Sequence, residues 1–425
     1  MRLVNGSRVM IVGGGPAGSF SALHLLRFAG QAGLKLEISI FEARDFSQPG
    51  PGGCNKCAGI LSSTLVEHLA SLDLALPHNV VQAELDAYIL HLEQGELLIR
   101  RPDPARRIVS VYRGSGPRLG RAPYPQSFDG WLLEQAQARG VRLRRERVRA
   151  IRAGLRPMVV TARHELEAEL VIVATGVNSR APLEHAWGYR PPRTETMAQD
   201  EILLPGGLQG SHAHIFFDPP GGLIFGALIP KGPYANISLL GHRLPPEAVA
   251  EFIEGHNLST LSPQGTPVLC GCTPRVAVSA SRGYYHDRMV AVGDAAVTRL
   301  YKDGIGAAYL TAEAAARTAI LRGIGRADFA RSYRPACRRI VRDNTYGRLL
   351  FRLWALNRRS AFLVDAWRRA VLQESRLPPA EQIHRRVLWG MFTGDDSYRR
   401  MFWLSWSRAA LAGLLQGAYA ARTAG

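Results

Sequence analysis

The sequence predicts a mixed fold: a parallel α/β domain, an inserted antiparallel β-sheet and a helical C-terminal region. Three observations predict it. The first is a short apolar run, Val9-Met10-Ile11-Val12, followed by Gly13-Gly14-Gly15-Pro16-Ala17-Gly18, a helix-compatible stretch from Ser19 to Phe28, and a second apolar run, Leu36 to Phe41, ending in Glu42. The second is the region from Pro182 to about Asp287, which lacks helical periodicity except at Pro246–Glu254 and reads as short strands. The third is the stretch beyond Arg331, which is Arg-rich, Trp-bearing and helical in pattern.

In the first run, strand, glycine turn, helix, strand and acidic residue fall within one βαβ unit, and each glycine has its own task. Gly13 allows the turn off the strand, Gly15 lets the backbone approach a pyrophosphate, and Gly18 lets the helix pack on the sheet. The helix N-terminus presents free N–H groups and positive dipole to phosphates. Glu42 stands where a carboxylate accepts ribose hydroxyls. This is a Rossmann-like dinucleotide site, and the unit alone leaves FAD and NAD both open.

The 425 residues allow two or three domains and a large core, and the 46% hydrophobic and 21% charged content is that of a globular protein. The net charge of +18 comes almost wholly from arginine. From Arg331 onward there are 18 Arg, no Lys and 6 acidic residues, a surplus of twelve positive charges. That surplus points to an anionic partner, membrane lipid or nucleic acid. Nucleic acid is disfavoured, because the arginines alternate with large apolar residues and no binding motif is present. A first strand within ten residues of Met1 leaves no room for a signal peptide, and five cysteines are too few and odd in number for a disulfide scaffold, so a reducing cytosol is expected.

Taken in order, Glu42 is followed by Ala43-Arg44-Asp45 and a Pro/Gly-rich loop that leads into Cys54-Asn55-Lys56-Cys57-Ala58-Gly59, too elaborate for a plain connector. Strands are expected at Ala87–His91, Leu97–Ile99 and Ile108–Tyr112. Phe128–Arg139 is an amphipathic helix capped by Tyr124-Pro125-Gln126-Ser127. Val141–Val148 reads as a strand, then a small meander ends in Leu170–Val173 and Ala174-Thr175-Gly176. Further strands are expected at His214–Phe217, Leu223–Leu228 and Asn236–Leu240. Met289–Val292 is a last strand, ending in Gly293-Asp294-Ala295-Ala296, and after Lys302-Asp303-Gly304-Ile305-Gly306 a long alanine-rich helix runs to about Arg322. Asp294, at a strand end, can accept a hydrogen bond from a ligand hydroxyl. A helix opened by Gly304 to Gly306 favours negative charge at its N-terminus.

Three separated motifs together resemble FAD-dependent oxidoreductases of the para-hydroxybenzoate hydroxylase superfold: the N-terminal glycine turn with Glu42, Ala174-Thr175-Gly176 before Asn178-Ser179-Arg180, and Val292-Gly293-Asp294-Ala295-Ala296 with Gly304-Ile305-Gly306. Within that superfold the chain is most similar to the geranylgeranyl reductase family, over roughly residues 8 to 322. The resemblance implies FAD contacts at Gly13, Gly15, Pro16, Ala17, Gly18, Glu42, Ala43, Arg44, Cys57, Ala58, Gly59, Gln126, Ala174, Thr175, Gly176, Gly293, Asp294, Gly304, Ile305 and Gly306. Cys57-Ala58-Gly59 matches the family's Cys-Gly-Gly turn with one glycine changed. Phe225-Gly226-Ala227-Leu228-Ile229-Pro230 keeps the proline and apolar character of the family's Tyr-x-Trp-x-Phe-Pro strand but lacks its tryptophan. Phe225, Ala227, Ile229 and Pro230 are thus expected to line the substrate.

The implied architecture is a discontinuous FAD domain (1–75, 105–180, 285–330), a β-sheet substrate domain (76–104, 181–284) and a basic helical region (331–425). The implied reaction is reduction of a polyprenyl C=C bond, with NADPH, NADH or a ferredoxin as electron donor, since there is no second dinucleotide fingerprint. Cys57, Tyr301 and Lys302 are the candidate proton donors. The alternatives are a monooxygenase or halogenase on the same fold, although the Trp-x-Trp-x-Ile-Pro element of halogenases is missing, and a non-catalytic prenyl-binding escort, against which the complete set of FAD motifs argues.

Cys54-x-x-Cys57 with Cys270-Gly271-Cys272 leaves a metal set, a redox pair and a structural Cys57 open, with no metal as the favoured reading. Cys337 in a basic helix is expected to be inert. In the tail, Arg348, Arg352 and Arg359 share a helical face, and Met401–Ala421 is nearly all apolar but for Arg408. An arginine at mid-bilayer costs about 2.5–3.5 kcal/mol. The 13 residues from Ala409 to Ala421 fall short of the roughly 20 that span a bilayer. An interfacial helix on the inner face of the membrane and a helix packed on the protein's own core both fit better than a spanning one.

Overall fold

The computed structural model describes residues 1–48, 57–118, 126–204, 208, 211–217, 223–258 and 269–423. Cys54, the Pro/Gly loop before it and Tyr124-Pro125 lie outside the described residues. Ten α-helices are described: α1 (Pro16–Gln31), α2 (Ser63–Ala70), α3 (Phe128–Ala138), α4 (Ala248–Gly255), α5 (Gly304–Leu321), α6 (Arg326–Asn357), α7 (Ala361–Glu374), α8 (Ile383–Thr393), α9 (Tyr398–Ser405) and α10 (Arg408–Thr423).

The first sheet has six strands, in the order Tyr285–His286, Met289–Ala291, Leu170–Val173, Arg8–Val12, Glu37–Phe41 and Arg142–Arg144. All neighbours pair in parallel except the hairpin Tyr285–His286 with Met289–Ala291. Val9, Ile11, Ile40, Leu170 and Ile172 are fully buried, as continuous apolar runs must be in a sheet covered on both faces. One cover is α1, α3 and α5; the other includes the small meander Ala150–Arg152, Met158–Val160 and Glu165–Glu167. Because the strands are parallel, Gly13, Glu42, Ala174 and Gly293 all emerge near one edge of the sheet, where ligands bind in such folds.

The second sheet also has six strands, in the order Ala198–Leu203, Tyr234–Gly241, Leu223–Lys231, His212–Phe216, Ala87–Leu92 and Gly95–Arg100. Among its described strands the sole parallel pair is His212–Phe216 with Ala87–Leu92. One face is packed by α4 through Phe252, Val249 and Ile253. Alternation puts Phe225, Ala227 and Ile229 on the other face, beside Tyr88, Leu90 and Ile215.

One expectation needs correction, and two features go beyond the sequence reading. The strand expected over Val141–Val148 is only Arg142–Arg144, because the alternating arginines beyond it have no partner strand. The Met401–Ala421 stretch is not one helix. It breaks at Trp406-Ser407, where the Ser407 hydroxyl accepts from the Ala410 N–H (3.2 Å) and starts a new helix. The short helix α2, capped by Ser62, was not foreseen.

Candidate functional site

At the first strand end, Gly13 has φ +109° and its N–H donates to the Phe41 carbonyl (2.9 Å). A Cβ on Gly13 would lie 2.5 Å from the Ala174 carbonyl oxygen, and one on Gly18 would lie 1.9 Å from the Gly13 oxygen. Strand, turn and helix are therefore in backbone contact, and only glycine fits. Gly15 differs: its nearest neighbour would be Asp129 Oδ1 at 3.8 Å, so there is room beside its backbone. Gly15 is also the N-cap of α1, with no side-chain cap and with Pro16 and Ala17 next.

Glu42 is buried, and its carboxylate accepts from the N–H groups of Gly14 and Arg44, each at 2.9 Å. The Arg44 guanidinium lies at 3.3 Å, and Ala43 is exposed beside it. Across the turn, the Thr175 hydroxyl is buried with no partner among the described residues, and no described atom lies within 4 Å of a Cβ built on Gly176 (φ +66°). Gly293 (φ +58°) packs against Ala17, bringing Asp294 to the same crevice. Burial raises the Asp294 carboxyl's pKa, and the Thr298 hydroxyl and Arg113 charge oppose the rise. An uncapped helix start, room beside Gly15, an orphaned buried hydroxyl and a buried acceptor fit the pyrophosphate and ribose of a dinucleotide.

Arg113 is the site residue that motif matching missed. Its guanidinium is bidentate on Asp129 (2.7 and 3.1 Å) and donates to Cys57 Sγ at 3.2 Å. Burial works to lower its pKa, but the Asp129, Cys57 and Asp294 charges outweigh burial and raise it. The signal was present: Asp129 sits in the first turn of α3, one residue after Phe128, and a buried carboxylate there needs a cation.

Beyond Cys57 lies a small cavity of about 30 Å³ against the antiparallel sheet. Its floor is polar: Arg113, Arg118, Gln199, Glu201, Lys231 and Asn236 line it, with Tyr112 and Cys272. Arg118 and Asp200 form a buried ion pair at 2.7 Å, and the Lys231 ammonium donates to the Cys57 carbonyl at 3.3 Å. Gly59 (φ +69°) and Ala58 complete the turn, with Gly59 pressed on the Val111 carbonyl. The polar floor contrasts with the wholly apolar lining expected from the sequence. Alternation places Gln199, Glu201, Asn236 and Ser238 on this same face of the sheet, and the apolar candidates Phe225, Ala227 and Ile229 further along it.

Those candidates, Phe225, Ala227 and Ile229, belong to an apolar cluster with Trp354, Trp367, Trp389 and Phe392 of the C-terminal helices. Phe392 meets Phe225 edge-on at 5.5 Å. Pro230 is turned the other way in the strand, and its carbonyl accepts from Ser110.

Tyr301 and Lys302 face the C-terminal helices. The Lys302 ammonium donates to the carbonyls of Gly390 (2.6 Å) and Asp396 (3.1 Å) and sits 3.9 Å over the Tyr398 ring. Its burial, with Arg299 nearby, pushes its pKa well below that of an ordinary lysine. Tyr301 (φ +59°) packs edge-on against Phe351. Of the three proton-donor candidates, only Cys57 lines the pocket among the described residues. Gln126 is bound to Glu134 and Asn79, outside the crevice contacts just described.

The start of α5 also departs from expectation. Asp303 (φ +47°) caps it, accepting from the Gly306 N–H (3.1 Å), from Arg299 (2.6 Å) and from Ser62. Gly304 and Ile305 form the first turn beside Thr298 and Asp294. The C-terminal region locks this corner: Arg299 donates to the Gly394 carbonyl, and Asp395 accepts from the Ser63 N–H and hydroxyl.

Cys57, Cys270, Cys272 and Cys337 are free thiols, and no cluster able to hold a metal occurs among the described residues. Burial, with the Cys272 hydrogen bond and Asp200 charge, pushes Cys270 up to about 12; burial does the same for Cys337. Both stay protonated near neutral pH.

No sequence-family profile matches this chain, and no curated protein does. Solved structures do. A geranylgeranyl bacteriochlorophyll reductase-like protein from Thermoplasma acidophilum is 15% identical, with 98% of this chain and 96% of that one covered at a TM-score of 0.56. A flavoprotein/dehydrogenase from Cytophaga hutchinsonii is also 15% identical, covering 98% and 99% at 0.59. A 2-methyl-3-hydroxypyridine-5-carboxylic acid oxygenase is 17% identical, covering 83% and 92% at 0.53. The fold is that of the para-hydroxybenzoate hydroxylase-type flavoproteins, C-terminal helices included.

Proposed function

We propose that the protein is an FAD-dependent oxidoreductase that reduces C=C bonds of a polyprenyl lipid. The observation that carries the cofactor is the crevice itself: α1 begins uncapped at Gly15, where a backbone without a side chain leaves room for phosphate, and Glu42 and Asp294 flank it. FAD would be held by the α1 N–H groups at its pyrophosphate, by Glu42 at a ribose and by Asp294 near its ribityl chain. When reduced, it supplies a hydride equivalent.

The chain's own residues do the rest. Arg113, fixed by Asp129, presents positive charge beside Cys57. The Cys57 thiol stands at the pocket edge, where it can give a proton to the second carbon of the double bond. The lipid assignment is supported by the likeness to a geranylgeranyl bacteriochlorophyll reductase-like protein; the apolar sheet face of Phe225, Ala227 and Ile229 is filled by Trp354, Trp389 and Phe392 of the C-terminal helices, which keep water from it. The electron donor is NADPH, NADH or a ferredoxin.

A second reading is favoured by the polar pocket floor, where Arg118, Gln199, Glu201 and Asn236 suit a small polar or aromatic substrate and hence monooxygenase or halogenase chemistry. One experiment separates the two. Dithionite-reduced protein is followed anaerobically while a geranylgeranyl lipid is added. Return of oxidised-flavin absorbance, with a product two hydrogens heavier, supports the reductase. A flavin that ignores the lipid but reoxidises rapidly in air moves the assignment to oxygen chemistry.

A further inference from the structure

Helices α7 and α8 have their inner side on the antiparallel sheet, and α10 lies on the outside of this layer, packed along α7. In α10 only Ala410 and Gly417 are buried, and Gly417 sits so close to α7 that a Cβ would meet the Ala366 carbonyl oxygen at 2.1 Å. On the opposite side Arg408, Leu411, Leu415, Tyr419 and Arg422 recur at helical spacing and form one stripe. Leu415 and Tyr419 are 73% and 72% exposed. Just before the helix, Trp403 and Trp406 are also exposed. At its far end Arg422 lies 5.9 Å over the ring of exposed Phe362.

We propose that this stripe, with Trp403, Trp406 and Phe362, docks the protein on an anionic lipid bilayer, with α10 lying in the plane of the interface. The charge pattern selects that occupant. Residues 398–423 contain four arginines and no acidic residue, so the stripe carries positive ends and an apolar middle with nothing of opposite sign to pair with itself. A second copy placed on it would set arginine against arginine. Lipid phosphates meet the guanidinium groups while acyl chains take the leucines, and tryptophan suits the headgroup depth. No described helix is long and apolar enough to cross a membrane, which agrees with α10 lying on the surface rather than spanning it. The proposal is independent of the flavin chemistry.

The test is sedimentation of the full chain with large unilamellar vesicles of phosphatidylcholine alone or mixed with phosphatidylglycerol. The expected result is binding to the anionic vesicles that weakens with salt. Combining Arg408→Gln with Arg422→Gln should weaken it by roughly thirtyfold. Combining Leu415→Asp with Tyr419→Asp should abolish it. Circular dichroism and the melting temperature should stay unchanged in both, because these side chains pack on little. The proposal is overturned if the wild-type chain ignores both vesicle types, or if all four substitutions leave binding unaltered. It is also overturned if the aspartate pair still binds anionic vesicles, which marks mere charge adsorption. Lipid-free dimers dissolved by that pair would assign the stripe to a second copy instead.

Discussion

Helices α1 and α5 both begin in a Gly-x-x-Gly or Gly-x-Gly segment at the edge of the parallel sheet, yet their N-termini are opposite in character. At α1 no side chain caps the helix, and there is room beside Gly15. At α5 the cap is the buried carboxylate of Asp303, and a Cβ on Gly306 would meet it at 2.4 Å. One glycine pattern leaves the helix start uncapped and open; the other makes space for the protein's own carboxylate. Burial raises the Asp303 carboxyl's pKa, and Arg299 opposes the rise while tying the corner to the C-terminal region. A glycine signature thus reports close approach at a helix start without saying what approaches.

Substitutions in the two turns break this contrast most directly. Gly18→Val should destabilise the fold by more than about 4 kcal/mol, because strand and helix must separate. Gly15→Val should leave stability in urea within about 1 kcal/mol while lowering FAD affinity at least about a hundredfold in a fluorescence titration. Equal losses in both variants would erase the distinction between packing glycine and ligand glycine. At the other helix, Asp303→Asn keeps a capping side chain but strands Arg299 without its carboxylate, and should cost about 3–5 kcal/mol by denaturant unfolding. An unchanged midpoint would mean that the buried pair is not holding the corner.

Lys302→Met sharpens the contrast by separating anchor from catalyst. It should cost about 1–3 kcal/mol from two lost hydrogen bonds and leave kcat intact; a lost kcat at full stability would return Lys302 to the reaction. The smallest effect is at the contact between the two helices, where His24 of α1 meets Tyr309 of α5 edge-on at 4.7 Å. Burial, then the Arg27 and His68 charges, lowers the His24 pKa to about 3 from 6.5. The unfolded chain therefore takes up a proton that the native state refuses, and stability falls as pH drops from about 6.5 toward 3. At pH 5 the loss should be up to about 2 kcal/mol, and His24→Phe should flatten this slope in melts run from pH 7 to 5.

The crevice was legible because its parts are local. Gly13, Gly15, Gly18 and Glu42 fall within one βαβ unit, so spacing alone reports their geometry, and the strand ends at Ala174 and Gly293 carry their own small-residue turns. Arg113 was hidden because its partners, Asp129 and Cys57, are distant in sequence and no motif links them. The direction in which Tyr301 and Lys302 face was hidden for a related reason. Both sit next to α5 in sequence, but left-handed backbone at Tyr301 and Asp303 turns them toward the C-terminal helices.

By itself, then, the sequence determined the parallel α/β frame with its glycine turn, the antiparallel second sheet and the arginine surplus of the tail, because period, glycine spacing and charge are properties of neighbouring residues. Only the tertiary structure decided which side chains meet. The polar pocket floor, the plug of Trp354, Trp389 and Phe392 over the apolar strand, and the outward stripe of α10 all depend on pairings between segments far apart in the chain. Such pairings are set by the burial and charge balance of the whole molecule, and local pattern does not carry them.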